Sequence, residues 1–205
     1  MRLGIFGGSF DPVHLGHLWI GEAAMESLNL DRLHWIPTAE QPLKPGGAVA
    51  TADQRAEMVR LAVSGRDGFV MDDREIRRQG VSYSVDTIDE IAQEFPSAEL
   101  FLVIGSDSLA SMQKWHQPEK LLSLVQLAVV QRGGEPPIDF SVLDRIIQPS
   151  RIELFRANVI EMPIIEISSR EIRDRVRSGR TVRYRVPHAV QAFIKASRLY
   201  LDSSP

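Results

Sequence analysis

The stretch GGSFDPVHLGH, residues 7–17, joins a short apolar run to a helical pattern and restricts the chain to folds in which a strand ends in a ligand-facing turn. Leu3, Ile5 and Phe6 precede it with the character of a strand, and Leu18, Trp19, Ile20, Ala23, Ala24 and Leu28 follow at helical spacing. Gly7 and Gly8 carry no side chain, so the backbone can approach a bound group closely, and the opening amides of the next helix point beyond the strand end. The spacing predicts Asp11 as the helix cap and Pro12 at the first helical position. His14 and His17 are three apart, so both rings face one side, toward the glycine turn. Glycines, helix-start amides and two imidazoles in one turn suit a phosphate group, and no nucleophile is required.

Two other phosphate signatures are absent. The chain has no GxxxxGK[ST] loop, and its first strand lacks GxGxxG spacing. The bland alternative for either histidine alone is a cap or a core side chain.

With 205 residues and 43% hydrophobic content, the chain can build one sizeable core, and a single domain over residues 1–205 is expected. A net charge of -3 exerts no general pull on nucleic acid or anionic membrane, so neither is expected as a partner. Zero cysteines exclude disulfides and thiolate metal sites. No apolar run approaches the ~20 residues that span a bilayer, and the N-terminus lacks a secretory pattern, so a cytoplasmic location is expected.

Strand and helix patterns alternate along the chain. Strands are predicted at 33–36, 69–71, 100–104, 127–130 and 159–162, and helices at 53–63, 86–95, 119–124 and 141–147, with two more starting near Ser169 and Pro187. Such alternation implies an α/β fold with a doubly wound, mostly parallel sheet, ligands beyond the strand C-terminal ends, and helices at the C-terminus. In the segment 165–173, Ser168 and Glu171 have capping-box spacing, and Ser169 and Arg173 lie four apart on one helix face, where a polyphosphate tail could rest. Arg175, Arg177, Arg180, Arg183 and Arg185 follow as a solvated surface, with RNA binding the sharper alternative.

GGSFDPVHLGH resembles the HxGH signature of the nucleotidyltransferase superfamily, in the form found in nicotinate-nucleotide adenylyltransferases. The resemblance implies a Rossmann-like fold with ATP over the first strand, held by Gly7, Gly8, Ser9, Phe10, His14 and His17. Residues 165–173 resemble an ISSTxIR motif that binds ATP phosphates, which implies roles for Ser168, Ser169 and Arg173, with Arg170 replacing the usual threonine. Residues 104–107 match an IGxD element, implying that Gly105 permits close approach and that Asp107 contacts a ribose; a helix cap is the local alternative for Asp107. Lys114 and Trp115 resemble a KW element whose tryptophan stacks on a pyridinium ring. Residues 80–87 resemble a G-x-SYTxDT segment that grips a nicotinate carboxylate, with Ser84 at the threonine position and the His116 amide as a further donor. Residues 37–44 take the place of a loop ending in PPHK; Lys44 matches its lysine, and Leu43 replaces the histidine. Residues 132–134 resemble RPG, with Gly133 in place of proline.

These motifs imply adenylyl transfer from ATP to nicotinate mononucleotide, with His14, His17, Lys44 and Arg173 as catalytic groups. Ser84, Trp115, His116 and Lys44 are implied to bind the second substrate, and Mg2+ to accompany ATP through unspecified ligands. Two alternatives stay open: the same reaction on nicotinamide mononucleotide, or a nucleotide-binding module without catalysis. Assembly into a homo-oligomer is left open as well.

Overall fold

The computed structural model describes residues 1–42 and 47–201. Six strands form one parallel sheet: β1 (Arg2–Gly8), β2 (Arg32–Pro37), β3 (Phe69–Met71), β4 (Glu99–Gly105), β5 (Gln126–Arg132) and β6 (Val159–Met162), in the spatial order β3-β2-β1-β4-β5-β6. The sheet is thus doubly wound, and its order reverses between β1 and β4, where such folds open a crevice.

Strands covered on both faces read as nearly continuous apolar runs. In β4, Phe101 and Val103 enter one core while Leu100, Leu102 and Ile104 enter the other; Ala128 and Val130 oppose Leu127 and Val129 in β5 in the same way. The first core is closed by α1 (Leu15–Ser27), α2 (Ala52–Val63), α8 (Ser169–Arg177) and α9 (His188–Ala196), through residues such as Ala24, Met58, Ile172 and Val190. The second is closed by α4 (Ser84–Glu94), α6 (Pro118–Leu124) and α7 (Pro149–Arg156), through Ile88, Leu121 and Phe155. Gly21 lets α1 lie against β2, since a Cβ there would stand 2.4 Å from the Trp35 ring.

Two short helices, α3 (Arg74–Arg78) and α5 (Ser106–Ala110), are too brief to leave a periodic signal, and α7 lay outside the predicted pattern. The helix expected at 141–147 is instead a single 3-10 turn, Phe140–Leu143, whose Phe140 and Leu143 are buried. No helix among the described residues is long and apolar enough to cross a membrane.

Candidate active site

β1 and β4 pair only from Arg2↔Glu99 to Ile5↔Leu102, so Gly7, Gly8 and Gly105 stand beyond the last pair, at the crest of the sheet. A Cβ at Gly105 would meet nothing within 4 Å, and one at Gly7 only the Ile36 carbonyl at 4.0 Å, which leaves the crest open to a ligand. Gly8 answers to packing as well, because a Cβ there would lie 3.1 Å from the Phe10 ring.

Beside the crest lies a cleft of about 1090 Å³ whose walls include Ser9, His14, His17, Ser168, Ser169 and Arg173. The chain path between the glycines and α1 differs from the expected one. Asp11 and Pro12 precede the helix, and His14 is the N-cap. His14 N–H donates to His17 Nδ1 at 3.2 Å, and His17 N–H donates to His14 Nδ1 at 3.3 Å, a capping box built from two histidines. Because each Nδ1 accepts a backbone hydrogen, each neutral ring carries its proton on Nε2, where it can donate to an anion. The rings stack with centroids 3.6 Å apart, and the edge of the buried Phe10 supports His17 at 5.2 Å. Phe10 therefore acts from beneath the cleft and not through its walls.

The helix amides expected to meet a phosphate are largely engaged within the protein. Leu15 N–H donates to the Arg185 carbonyl at 2.9 Å, and His17 N–H to His14. The donors that α1 can still offer the cleft are the two imidazoles and the Gly16 amide, since Gly16 also lines it.

Burial, helped by the nearby positive charge of Arg132, pushes the His14 imidazole down to about 4. Between pH 6.5 and about 4 the unfolded chain binds a proton that the folded chain refuses. The His14 contribution to stability is therefore complete above pH 6.5 and is lost as the pH falls through that window, on the order of 3 kcal/mol. Urea unfolding at pH 7 and pH 4.5 should show the loss. His14→Asn keeps a cap acceptor without titrating there, so its loss between the two pH values should be smaller.

Asp11 is only 4% exposed, and its carboxylate accepts hydrogen bonds from Val49 N–H at 2.7 Å, Ala50 N–H at 3.1 Å and the Tyr200 hydroxyl at 2.8 Å. It joins the glycine turn to the loop before α2 and to the segment after α9. Arg173 Nη1 donates to the Asp11 carbonyl at 2.6 Å, and Ser169 Oγ donates to the Pro12 carbonyl at 2.9 Å, so α8 is pinned to the same turn. The Ser169 hydroxyl proton is spent on that bond, which leaves its amide, in the first turn of α8, as the donor it can offer a phosphate. Ser168 is the cap as expected, accepting from Glu171 N–H at 3.1 Å, but the Glu171 carboxylate pairs with Arg185 at 3.2 Å and leaves the capping box half built.

In the cleft wall Arg55 is 2% exposed and donates to three backbone carbonyls, Ser9 at 2.8 Å, Ala39 at 3.1 Å and Ala50 at 3.3 Å. One side chain thereby fixes the spacing of three wall segments. Arg132, at the end of β5, also reaches the cleft and lies 3.6 Å from Glu135. Gly133 N–H donates to the Met162 carbonyl at 2.8 Å, and a Cβ at Gly133 would stand 3.1 Å from Ile164. A proline at 133 would lose that bond and crowd Ile164.

The remaining expected residues gather on the opposite face of the sheet. Ser84 is the first residue of α4, with Tyr83 at the cap position, so it does not cap the helix. The Tyr83 ring lies 4.5 Å from the His116 ring, bringing the start of α4 to the Trp115–His116 segment. Trp115 is half-buried against the second core and donates from Nε1 to Ser111 at 3.4 Å. Buried Ser82 accepts from Ala39 N–H at 2.9 Å and ties this region to the loop after β2. Asp107 is exposed in the first turn of α5, whose cap is Gly105. Lys44 and Leu43 lie outside the described residues.

Asp11, Arg55, Arg132 and Tyr200 were absent from the site expected on sequence. Asp11 and Arg132 lie inside the 7–17 and 132–134 motifs, whereas a lone arginine on α2 and a tyrosine beyond α9 leave no local signal. Among the described residues no three His, Asp or Glu side chains converge to hold a metal ion. Asp11, already met by two amides, a hydroxyl and a guanidinium, is not a vacant metal ligand. The described residues therefore offer no preformed cage for Mg2+.

The cytidylyltransferase-like family model matches residues 5–175. Over 97% of its length the chain is 48% identical to a protein of Rhodopirellula baltica named "Probable nicotinate-nucleotide adenylyltransferase", of which it covers 92%. It is 41% identical to the protein of the same name from Gemmatimonas aurantiaca, over 98% of this chain and 93% of that one. Among solved structures, nicotinic acid mononucleotide adenylyltransferase of Plasmodium falciparum, complexed with NaAD, superposes with a TM-score of 0.70 at 19% identity, covering 97% of each chain. That last likeness is one of fold.

Proposed function

The chain belongs to the cytidylyltransferase-like family and, within it, to the nicotinate-nucleotide adenylyltransferases, and from that premise we propose how its residues divide the reaction. The protein transfers the adenylyl group of ATP to nicotinate mononucleotide, giving nicotinate adenine dinucleotide and pyrophosphate, a step of NAD synthesis. A phosphate oxygen of the mononucleotide forms a bond to the α-phosphorus while the bond from that phosphorus to the oxygen bridging to the β-phosphorus breaks. The attacking oxygen already carries negative charge, so positioning and electrostatic stabilisation supply most of the catalysis.

The observation that carries this reading is the convergence of His14, His17 and Arg173 on one cleft from distant parts of the chain. In the proposal the Nε2–H groups of His14 and His17 donate to the charge that grows on the α-phosphoryl oxygens. Arg173 holds the departing phosphates, with the Ser168–Ser169 turn and the α8 amides beside it. Gly7, Gly8, Ser9 and Gly105 admit the nucleotide to the crest, and Asp107 meets its ribose. Lys44 assists on the phosphate side. A divalent ion such as Mg2+ would arrive with the triphosphate and would offset phosphate charge, and no protein ligand is assigned to it. On the other face Ser84 and the His116 amide hold the nicotinate carboxylate, and Trp115 stacks on the pyridinium ring. ATP and mononucleotide then approach from opposite faces and react over the crest, within one nucleotidyltransferase unit.

Pyrophosphate release measured with ATP and each mononucleotide in turn tests the reading. Release with nicotinate mononucleotide in clear preference is expected; equal rates with the nicotinamide form would remove the carboxylate grip. Trp115→Ala is expected to raise KM for the mononucleotide about ten-fold with little change in KM for ATP. An unchanged value would take Trp115 out of the pocket.

A further inference from the structure

Asp11 receives groups from three separated parts of the chain, and one of them, Arg173, is a guanidinium that the proposed reaction also requires. Arg173 Nη1 lies 3.6 Å from Asp11 Oδ2 while donating to the Asp11 main-chain carbonyl, so carboxylate and polyphosphate compete for it. A carboxylate draws a guanidinium less strongly when its charge is shared among other donors. Here those donors are Val49 N–H, Ala50 N–H and the Tyr200 hydroxyl.

Tyr200 is the only side chain among those three and is built for the contact. It is 5% exposed, its hydroxyl reaches Asp11 Oδ1 at 2.8 Å, and Met58 Sδ lies 3.9 Å from the same oxygen. Its backbone φ is 63°, a left-handed conformation that non-glycine residues seldom adopt, held here while the ring is buried. Burial, with Asp11 alongside, holds the phenol well above its ordinary range, so it stays a donor. Tyr200 is not among the residues that line the cleft.

We infer that Tyr200 is a positioning residue for the triphosphate: by sharing the charge of Asp11, its hydroxyl keeps Arg173 from closing into a full ion pair and leaves it available to ATP. This rests on Arg173 as the ATP contact. Loss of the hydroxyl leaves Asp11 Oδ1 with Ala50 N–H alone and strengthens the claim of the carboxylate on Arg173.

Tyr200→Phe keeps the ring and its packing. Titration with ATP alone is expected to show a Kd raised about five-fold, the scale of one hydrogen bond. KM for nicotinate mononucleotide should be unchanged, with thermal unfolding confirming a folded protein. In an Arg173→Lys background the same substitution should change the ATP Kd less than two-fold, because its effect runs through the guanidinium. An unchanged Kd in the single variant, equal losses in both backgrounds, or a parallel rise in KM for both substrates would overturn the inference. If the wild-type protein releases no pyrophosphate, the proposed reaction fails, while the binding cycle, read with ATP alone, still decides Tyr200.

Discussion

Replacing His17 with alanine is expected to lower kcat about 10²–10³-fold while leaving a folded protein, the effect of deleting one donor aimed at charge that develops in the transition state. The geometry makes the substitution informative. His17 Nδ1 is committed to His14 N–H, so the nitrogen that can serve the reaction is Nε2, and the ring is held between the His14 stack and the Phe10 edge. Alanine removes that donor and half of the capping box. The structural cost is about 1 kcal/mol, because Phe6, Phe10 and Trp35 still pack against one another. Steady-state kinetics and a thermal melt on the same preparation separate the two effects. Wild-type kcat would take His17 out of the reaction, and loss of the folding transition would make its role structural.

The largest expected effect on stability falls on a residue that belongs to no motif. Arg55→Met keeps much of the side-chain volume and removes every hydrogen bond that Arg55 makes. The carbonyls of Ser9, Ala39 and Ala50 lose their side-chain donor, the Ala50 residue buried and Ser9 and Ala39 half-buried in the cleft wall. Each orphaned buried acceptor costs about 1–3 kcal/mol, so a loss of about 3–5 kcal/mol is expected in urea unfolding at pH 7. Burial holds the guanidinium below its ordinary range, with Asp11 acting the other way, yet it remains charged at neutral pH. Activity should fall along with stability, since the carbonyls it ties belong to the walls of the cleft. A loss below 1 kcal/mol would show that the wall segments hold their spacing without Arg55.

Much of the cleft was legible because its motifs are local. The HxGH pair is a three-residue spacing on one turn, and the Ser168 cap is a three-residue spacing on another. The second-substrate side proposed for Ser84, Trp115 and His116 was legible only through resemblance, since these are individually ordinary residues. Asp11 shows where local reading stops: an aspartate before a proline and a helical pattern looks like a cap. His14 takes that position instead, freeing the carboxylate to gather Val49, Ala50 and Tyr200. The first amides of α1 were expected to serve a ligand, and the Arg185 carbonyl claims one of them from far along the chain.

From its residues alone the chain determined the alternation of strands and helices, the burial of the strands on both faces and the presence of two histidines on one turn. Those properties depend on neighbours within a few positions, where periodicity and capping act. Tertiary structure decided that Arg173 and Tyr200 meet the same aspartate, that Arg55 turns inward to three carbonyls, and that the His14–His17 turn and the Trp115 segment pack against opposite faces of the sheet. Such contacts arise only after the crossovers have placed distant elements side by side, and a buried polar group then settles on whichever partner the packing brings within hydrogen-bond reach.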